Sequence, residues 1–300
     1  MRSRCLVIGA AGQLGRALCA ALRDAYEIIE NVYRTPQPHQ VQVDLGDLAG
    51  VAAQLDELKP DWIVIAGAYC QVDRAETDPQ HCWQVNVEGP RAIAAYARDH
   101  GNRVVYYSSD QVFDGSKDSA YRESEPVHPL NVYARSKAQG EVGLRELLPD
   151  RHLILRTAWL YGPDPARRNF VLRVVDQLTA GGHVPVPVDQ WGNPTYTEDL
   201  ASITQHLMKQ DASGTFHATG PDYLDRVSLA KRICAWFQLD DAGVIPMPTS
   251  QLGQAARRAL RVRLDGQKLA ATGAKPCRDI EAGLAALQRW QAASAQAMIR

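Results

Sequence analysis

The chain has 300 residues, 45% of them hydrophobic and 22% charged, which suits a globular protein able to bury a sizeable core. Its formal net charge is -1, so no global basic field draws it to nucleic acid or to an anionic membrane surface. No apolar run reaches the roughly 18 residues of a membrane span, and the six cysteines are scattered without C-x-x-C or metal-type spacing, as expected of reduced thiols in a cytoplasmic protein.

Met1-Arg2-Ser3-Arg4 is basic and precedes an apolar run, but Gly9, Gly12 and Gly15 interrupt that run and no cleavage pattern follows. Residues 5–8 therefore read as a first strand, followed by a glycine turn and a helix over 16–23. Ile28-Ile29 marks a second strand and residues 41–44 a third, ahead of a helix over 48–58. Residues 62–66 read as a fully buried fourth strand, and the alanine-rich stretch 90–99 as a helix. Residues 103–107 and 152–156 complete the strands. Strands alternating with helices at this spacing predict an α/β fold, a Rossmann-type doubly wound parallel sheet.

After about residue 160 the rhythm changes. A polar, proline-bearing stretch over 163–168 leads to a helix over 170–179, a proline-rich segment opens at Gly181-Gly182, and a helix over 281–297 closes the chain. The expectation is a nucleotide-binding domain over 1–160 with contributions from about 190–222, and a smaller substrate domain built from 161–189 and 223–300.

Gly9, Gly12 and Gly15 fall between a strand and a helix. Glycines there let the backbone turn sharply and approach a pyrophosphate, whose charge sits at the helix N-terminus. Cofactor choice turns on the end of the second strand: Arg34 would pair with a 2′-phosphate and favours NADPH, whereas Glu30 would accept from a ribose hydroxyl and favour NADH. NADPH is preferred. Asp44 and Leu45 are candidates for contact with adenine, with a helix cap as the alternative role of the aspartate.

Tyr133 and Lys137 are four residues apart, a spacing that puts both on one helix face. A phenol with an ordinary pKa near 10 works poorly at neutral pH, and a nearby ammonium stabilises its phenolate. The pattern gains weight from Ser109, at the end of a parallel strand and 24 residues upstream of Tyr133, where a hydroxyl points into the ligand crevice.

On these motifs the chain resembles the extended short-chain dehydrogenase/reductase superfamily and, within it, the dTDP-4-dehydrorhamnose reductase family. The matching segments run from the glycine turn through 72–76, Val85-Asn86-Val87, 107–113, 131–137, 156–159 and 189–195 to Arg263-Leu264-Asp265 and Lys268. The resemblance implies that Ser109 hydrogen-bonds a substrate carbonyl, Tyr133 donates the proton, and Lys137 tunes Tyr133 and binds ribose. It implies Gln13 and Leu14 at the pyrophosphate, Ala66, Gly67 and Ala68 beside the cofactor, and Asn86 at the cofactor site as a support from the following helix. Cys70, Val72, Asp110 and Trp159 would border the sugar of a nucleotide-sugar substrate. Asp73 and Glu76 would anchor a loop. Arg257, Arg258, Arg261 and Arg263 are either an exposed helix face or, as their place beside the late motif favours, a contact for substrate phosphates.

Two positions depart from the family pattern: Gln111 stands where a tyrosine is common, and Cys70 where a threonine or serine is often found. Some relatives hold magnesium through glutamates at a dimer interface; here Ala17 cannot ligate a cation although Glu198 remains, so no metal is expected and a homodimer is left open. The expected activity is reduction of the 4-keto group of a nucleotide-linked deoxysugar. Two alternatives are a sugar-nucleotide epimerase or dehydratase, against which the missing acid after Ser109-Asp110 argues, and a non-catalytic NADP-binding regulatory subunit of the methionine adenosyltransferase beta type.

Overall fold

The computed structural model describes residues 2–33 and 36–299, so Arg34, the expected reader of a 2′-phosphate, lies outside the described residues. The strands are β1 (Arg4–Ile8), β2 (Glu27–Asn31), β3 (Trp62–Ile65), β4 (Arg103–Ser109), β5 (His152–Thr157), β6 (Leu160–Tyr161), β7 (Val184–Pro187), β8 (Trp191–Gly192), β9 (Thr195–Tyr196), β10 (Gly214–His217), β11 (Leu224–Asp225) and β12 (Val244–Met247). The helices are α1 (Gln13–Leu22), α2 (Leu48–Leu58), α3 (Val72–Thr77), α4 (Pro79–Trp83), α5 (Gly89–His100), α6 (Val132–Leu147), α7 (Phe170–Thr179), α8 (Thr197–Lys209), α9 (Arg226–Phe237), α10 (Gln267–Ala270) and α11 (Ile280–Ile299).

A six-stranded sheet in the order β10-β5-β4-β3-β1-β2, parallel throughout, forms the centre. Successive residues of β1 enter opposite cores: Cys5 and Val7 pack with Leu14, Leu18, Leu22, Leu200 and Leu207, whereas Leu6 and Ile8 pack with Leu55, Ile93 and Leu144. Both faces are covered, which is why the strands read as unbroken apolar runs instead of alternating ones. Full burial of each such leucine or isoleucine contributes about 1.5–3 kcal/mol. The fold is of the doubly wound Rossmann type.

The predicted strand over 41–44 is reduced to a single parallel bridge between Asn31 and Val41. Val41 keeps backbone bonds with Val32 (2.9 Å) and Glu30 (3.0 Å), while the buried Asn31 amide Nδ2 donates to the carbonyls of Val41 (3.3 Å) and Val43 (3.1 Å) and so takes over from the ladder beyond Val41. The helix predicted from residue 16 starts at Gln13, because Gly12 opens it with an extended backbone and no side-chain cap.

Chain beyond β5 crosses between two bodies of packing. The pairs β6·β9, β7·β12 and β8·β11 lie apart from the main sheet, and α7, α9 and α11 pack around a core that includes Leu172, Val186, Ile233 and Leu284. By contrast, α8 packs against α1 and β10 extends the main sheet beside β5. No described helix is long and apolar enough to cross a membrane.

Candidate active site

The glycine turn leaves β1 at Gly9, whose φ of +83° falls in the left-handed region. A Cβ there would approach the Gly67 nitrogen to 2.6 Å, and one at Gly15 would collide with the Gly9 carbonyl, so the turn, the start of α1 and the loop after β3 pack backbone to backbone. That loop is fixed in turn, since the nitrogens of Ala66 and Gly67 both donate to the Ile8 carbonyl (3.0 and 2.8 Å). Leu14 is buried against the sheet. Gln13 accepts from Asn169 at 3.3 Å, while its buried Nε2 has no partner among the described residues. An uncapped helix start beside an orphaned buried donor fits a dinucleotide pyrophosphate.

Asp44 accepts from the Gly46 nitrogen at 2.8 Å and so shapes a turn; the cap of α2 is Asp47, which accepts from Gly50 at 3.0 Å. Leu45 is buried in the core beneath Gly89.

Ser109 is the last residue of β4 and Tyr133 the second residue of α6. Asn131 caps α6, its Oδ1 accepting from the Ala134 nitrogen at 2.7 Å, while its Nδ2 donates to the Gln111 side chain (3.2 Å) and the Arg257 carbonyl (2.8 Å). The cap thus ties α6 to the loop after Ser109. Gln111, the departure from the family's tyrosine, spends its side-chain oxygen on this cap. Glu76 adds a second tie by accepting from the Val132 nitrogen at 2.7 Å, and Asp73 holds Ala256 (3.0 Å) and Arg258 (2.5 Å). Val72 begins the short helix α3 that carries both acids.

Ser109, Tyr133 and Asp110 meet. Ser109 Oγ donates to Asp110 Oδ1 at 2.9 Å and accepts from the Gln111 nitrogen at 3.2 Å. Burial raises the Tyr133 phenol, Cys70 adds to the effect, and the neighbouring Ser109 hydroxyl opposes it. Burial likewise pushes the Asp110 carboxyl up to about 6, against the pull of Ser109 and Arg226. Lys137 is 3% exposed, and its Nζ lies 4.1 Å from the centre of the Tyr106 ring with no hydrogen-bond acceptor among the described residues. Burial brings its pKa down to about 8, with Cys70 and Glu141 working the other way. Among the described residues no hydrogen bond joins the ammonium to the Tyr133 phenol; it faces Tyr106 with its donors unused, as a ribose site requires.

Asn86 sits in a π-helical turn, Gln84–Glu88. Its side chain accepts from the Tyr69 nitrogen (2.9 Å) and donates to the Tyr69 carbonyl (3.1 Å) and to Ser136 Oγ (2.9 Å). With those bonds made, Asn86 positions the 66–70 loop against α6. Ala68 accepts from Cys70 Sγ at 3.4 Å within that loop. Trp159 has a φ of +43°, a conformation costly for a bulky residue. Its ring packs on Gly192, where any Cβ would clash, and carries the Arg226 guanidinium 3.5 Å above it.

The cluster of arginines, open to reading as an exposed helix face or as a contact for substrate phosphates, does not lie on a helix. Residues 260–264 are extended, bridged at Arg261 to Trp191 and at Leu264 to Tyr121, because alternating Val262 and Leu264 are buried against Phe113. Arg257, Arg261 and Arg263 are exposed, and Arg258 is paired with Asp73. Glu198 lies 3.8 Å from Arg278, and no cluster of three or more metal-ligating side chains occurs among the described residues. Ser136, Asn131 and Arg226 are site residues not singled out from sequence. Asn131 carried a signal, as an asparagine two positions before Tyr133; Arg226 carried none.

A family model described as RmlD substrate binding domain matches residues 3–291. A dTDP-4-keto-6-deoxy-D-glucose reductase of Streptomyces niveus is 35% identical over 99% of this chain and 97% of its own length. A dTDP-4-dehydrorhamnose reductase of Streptomyces griseus is 35% identical over 94% and 92%. Among solved structures, a dTDP-4-dehydrorhamnose reductase of Bacillus anthracis in complex with NADP superposes with a TM-score of 0.88 at 29% identity, covering 96% of this chain and 99% of that one.

Proposed function

The chain belongs to the family of the RmlD substrate binding domain, and from that membership we propose that it reduces the 4-keto group of a dTDP-linked 6-deoxysugar with NADPH as the reductant. The observation that carries the reading is the meeting of Ser109, Asp110 and Tyr133 at the carboxyl end of the sheet, with the Lys137 ammonium buried nearby and free to donate. The bound cofactor supplies a hydride to the carbonyl carbon. The chain's own groups handle the oxygen and the proton.

Tyr133 is the acid. Burial holds its phenol protonated at neutral pH, the form needed to give a proton to the carbonyl oxygen as negative charge develops there. Ser109 directs its only proton at Asp110. Turning that proton onto the substrate oxygen adds a hydrogen bond at the developing oxyanion and frees Asp110 to accept a sugar hydroxyl. Lys137 supplies positive charge against the phenolate left behind and holds ribose hydroxyls. Trp159, Cys70 and Val72 line the sugar. The six free thiols suit a reducing compartment, the cytoplasm.

The experiment is a steady-state assay of NADPH oxidation with dTDP-4-keto-6-deoxysugars. Sustained turnover with at least one of them is expected. Tight NADPH binding with no turnover on any would replace this reading with that of a cofactor-binding regulatory subunit.

A further inference from the structure

Arg226 occupies an unusual setting for a guanidinium. It is the first residue of α9, whose cap is Asp225, and its backbone nitrogen donates to the Gln190 carbonyl at 3.1 Å. Its guanidinium packs against two rings, 3.5 Å from the centre of Trp159 and 4.7 Å from that of Phe170. Among the described residues no backbone or side-chain acceptor takes any N–H of that guanidinium, and the neighbouring Asp225 carboxylate is bonded to Ser228. Five unused donors on a planar group backed by aromatic rings form a fork that matches a phosphate.

The surrounding charge agrees. Burial brings the Arg226 pKa down to about 9; Asp110 opposes that shift, and the positive charges of Arg173 and Arg258 add to it. Arg258 is matched by Asp73, which leaves Arg173 as a second positive charge acting on Arg226 and Asp110 as the negative charge opposing it. Asp110 also bonds Ser109, which ties this fork to the carbonyl end of the cleft.

We propose that Arg226 binds the sugar-linked phosphate of the nucleoside diphosphate and thereby sets a requirement for a diphosphate on the substrate. The inference rests on the reading of a dTDP-sugar given above. It moves phosphate recognition away from Arg257, Arg261 and Arg263, which lie exposed on or beside the extended 260–264 segment, to the half-buried Arg226 at the start of α9. Packing against the rings holds the fork before the ligand arrives, so little side-chain entropy is lost on binding.

The test is equilibrium binding of dTDP, dTMP and thymidine to the full-length protein in the presence of NADPH. In wild type, dTDP is expected to bind more tightly than dTMP and far more tightly than thymidine. Arg226→Met should weaken dTDP by roughly 30-fold or more, collapse the preference over dTMP, and leave NADPH and thymidine within threefold. Arg226→Lys, which keeps the charge and loses the fork, should fall between the two. Retained NADPH affinity shows that a variant is folded.

An Arg226→Met protein that keeps its preference for dTDP, or that loses dTDP and thymidine in equal measure, overturns the inference. So does wild-type protein that turns over a dTDP-ketosugar yet binds dTDP no better than thymidine, an outcome that leaves the reductase reading intact. Wild-type protein that binds no dTDP and reduces no ketosugar removes that reading and this inference together.

Discussion

Tyr133 and Lys137 lie one turn apart, and burial moves their pKa values in opposite directions while favouring the neutral form of each. For the phenol this is the working form. Tyr133→Phe is therefore expected to lower turnover by a factor on the order of 10² or more with cofactor affinity little changed, measured by kcat and by NADPH titration. For the ammonium it is a cost. The folded pKa of Lys137, about 8, is below the value of 10.5 for a free lysine, so the buried charge destabilises the fold. That penalty is complete below about pH 8 and vanishes above about 10.5. Lys137→Met should then raise Tm at pH 7 by roughly 2–6 °C, with the gain shrinking as pH rises through that window, while abolishing tight cofactor binding. In wild type the same titration should close the alkaline side of the kcat/KM profile near pH 8. A profile flat to pH 10 would remove Lys137 from the role given to it.

Elements rather than single groups set the distances in this site. The π-helical turn Gln84–Glu88 swings Asn86 inward so that one amide bonds the 66–70 loop and α6 together. Asn86→Leu leaves the Tyr69 backbone groups unpaired, and we expect a loss of about 1–3 kcal/mol in urea unfolding together with a lower kcat. Unchanged stability would mean that the loop is held elsewhere. The strands β1, β3, β4 and β5 were legible in the sequence because a sheet covered on both faces leaves unbroken apolar runs. The segment 41–44 looked the same to that criterion, yet its backbone pairing stops at Val41 and the Val43 carbonyl goes to a distant side chain, Asn31. Residues 260–264 were misleading in another way. Four arginines within seven positions left an exposed helix face open beside the favoured phosphate contact, whereas the alternation of Val262 and Leu264 with polar neighbours was the signal for an extended segment. A π-turn has no local pattern, and Arg226 belongs to no motif; both depend on contacts made across the fold.

In the proposed reading, cofactor and substrate meet because the chain crosses repeatedly between the sheet and the smaller body around α7, α9 and α11. The glycine turn, Ser109, Tyr133 and Lys137 belong to the first, and Trp159 follows the last strand of that run, carrying Arg226 of the second. Choice between NADPH and NADH is proposed to lie with Arg34, three positions past Asn31 in the sequence. Arg34→Ala should weaken NADPH more than NADH, read as separate dissociation constants; equal losses would place recognition of the 2′-phosphate elsewhere. The 4-ketoreductase reading itself is tested most directly by isotope transfer. NADPH carrying deuterium at the transferred position should deliver one deuterium to C4 of the dTDP-sugar product, found by NMR and mass spectrometry. A product with no deuterium at C4, or oxidation of NADPH that yields no reduced sugar, would contradict it.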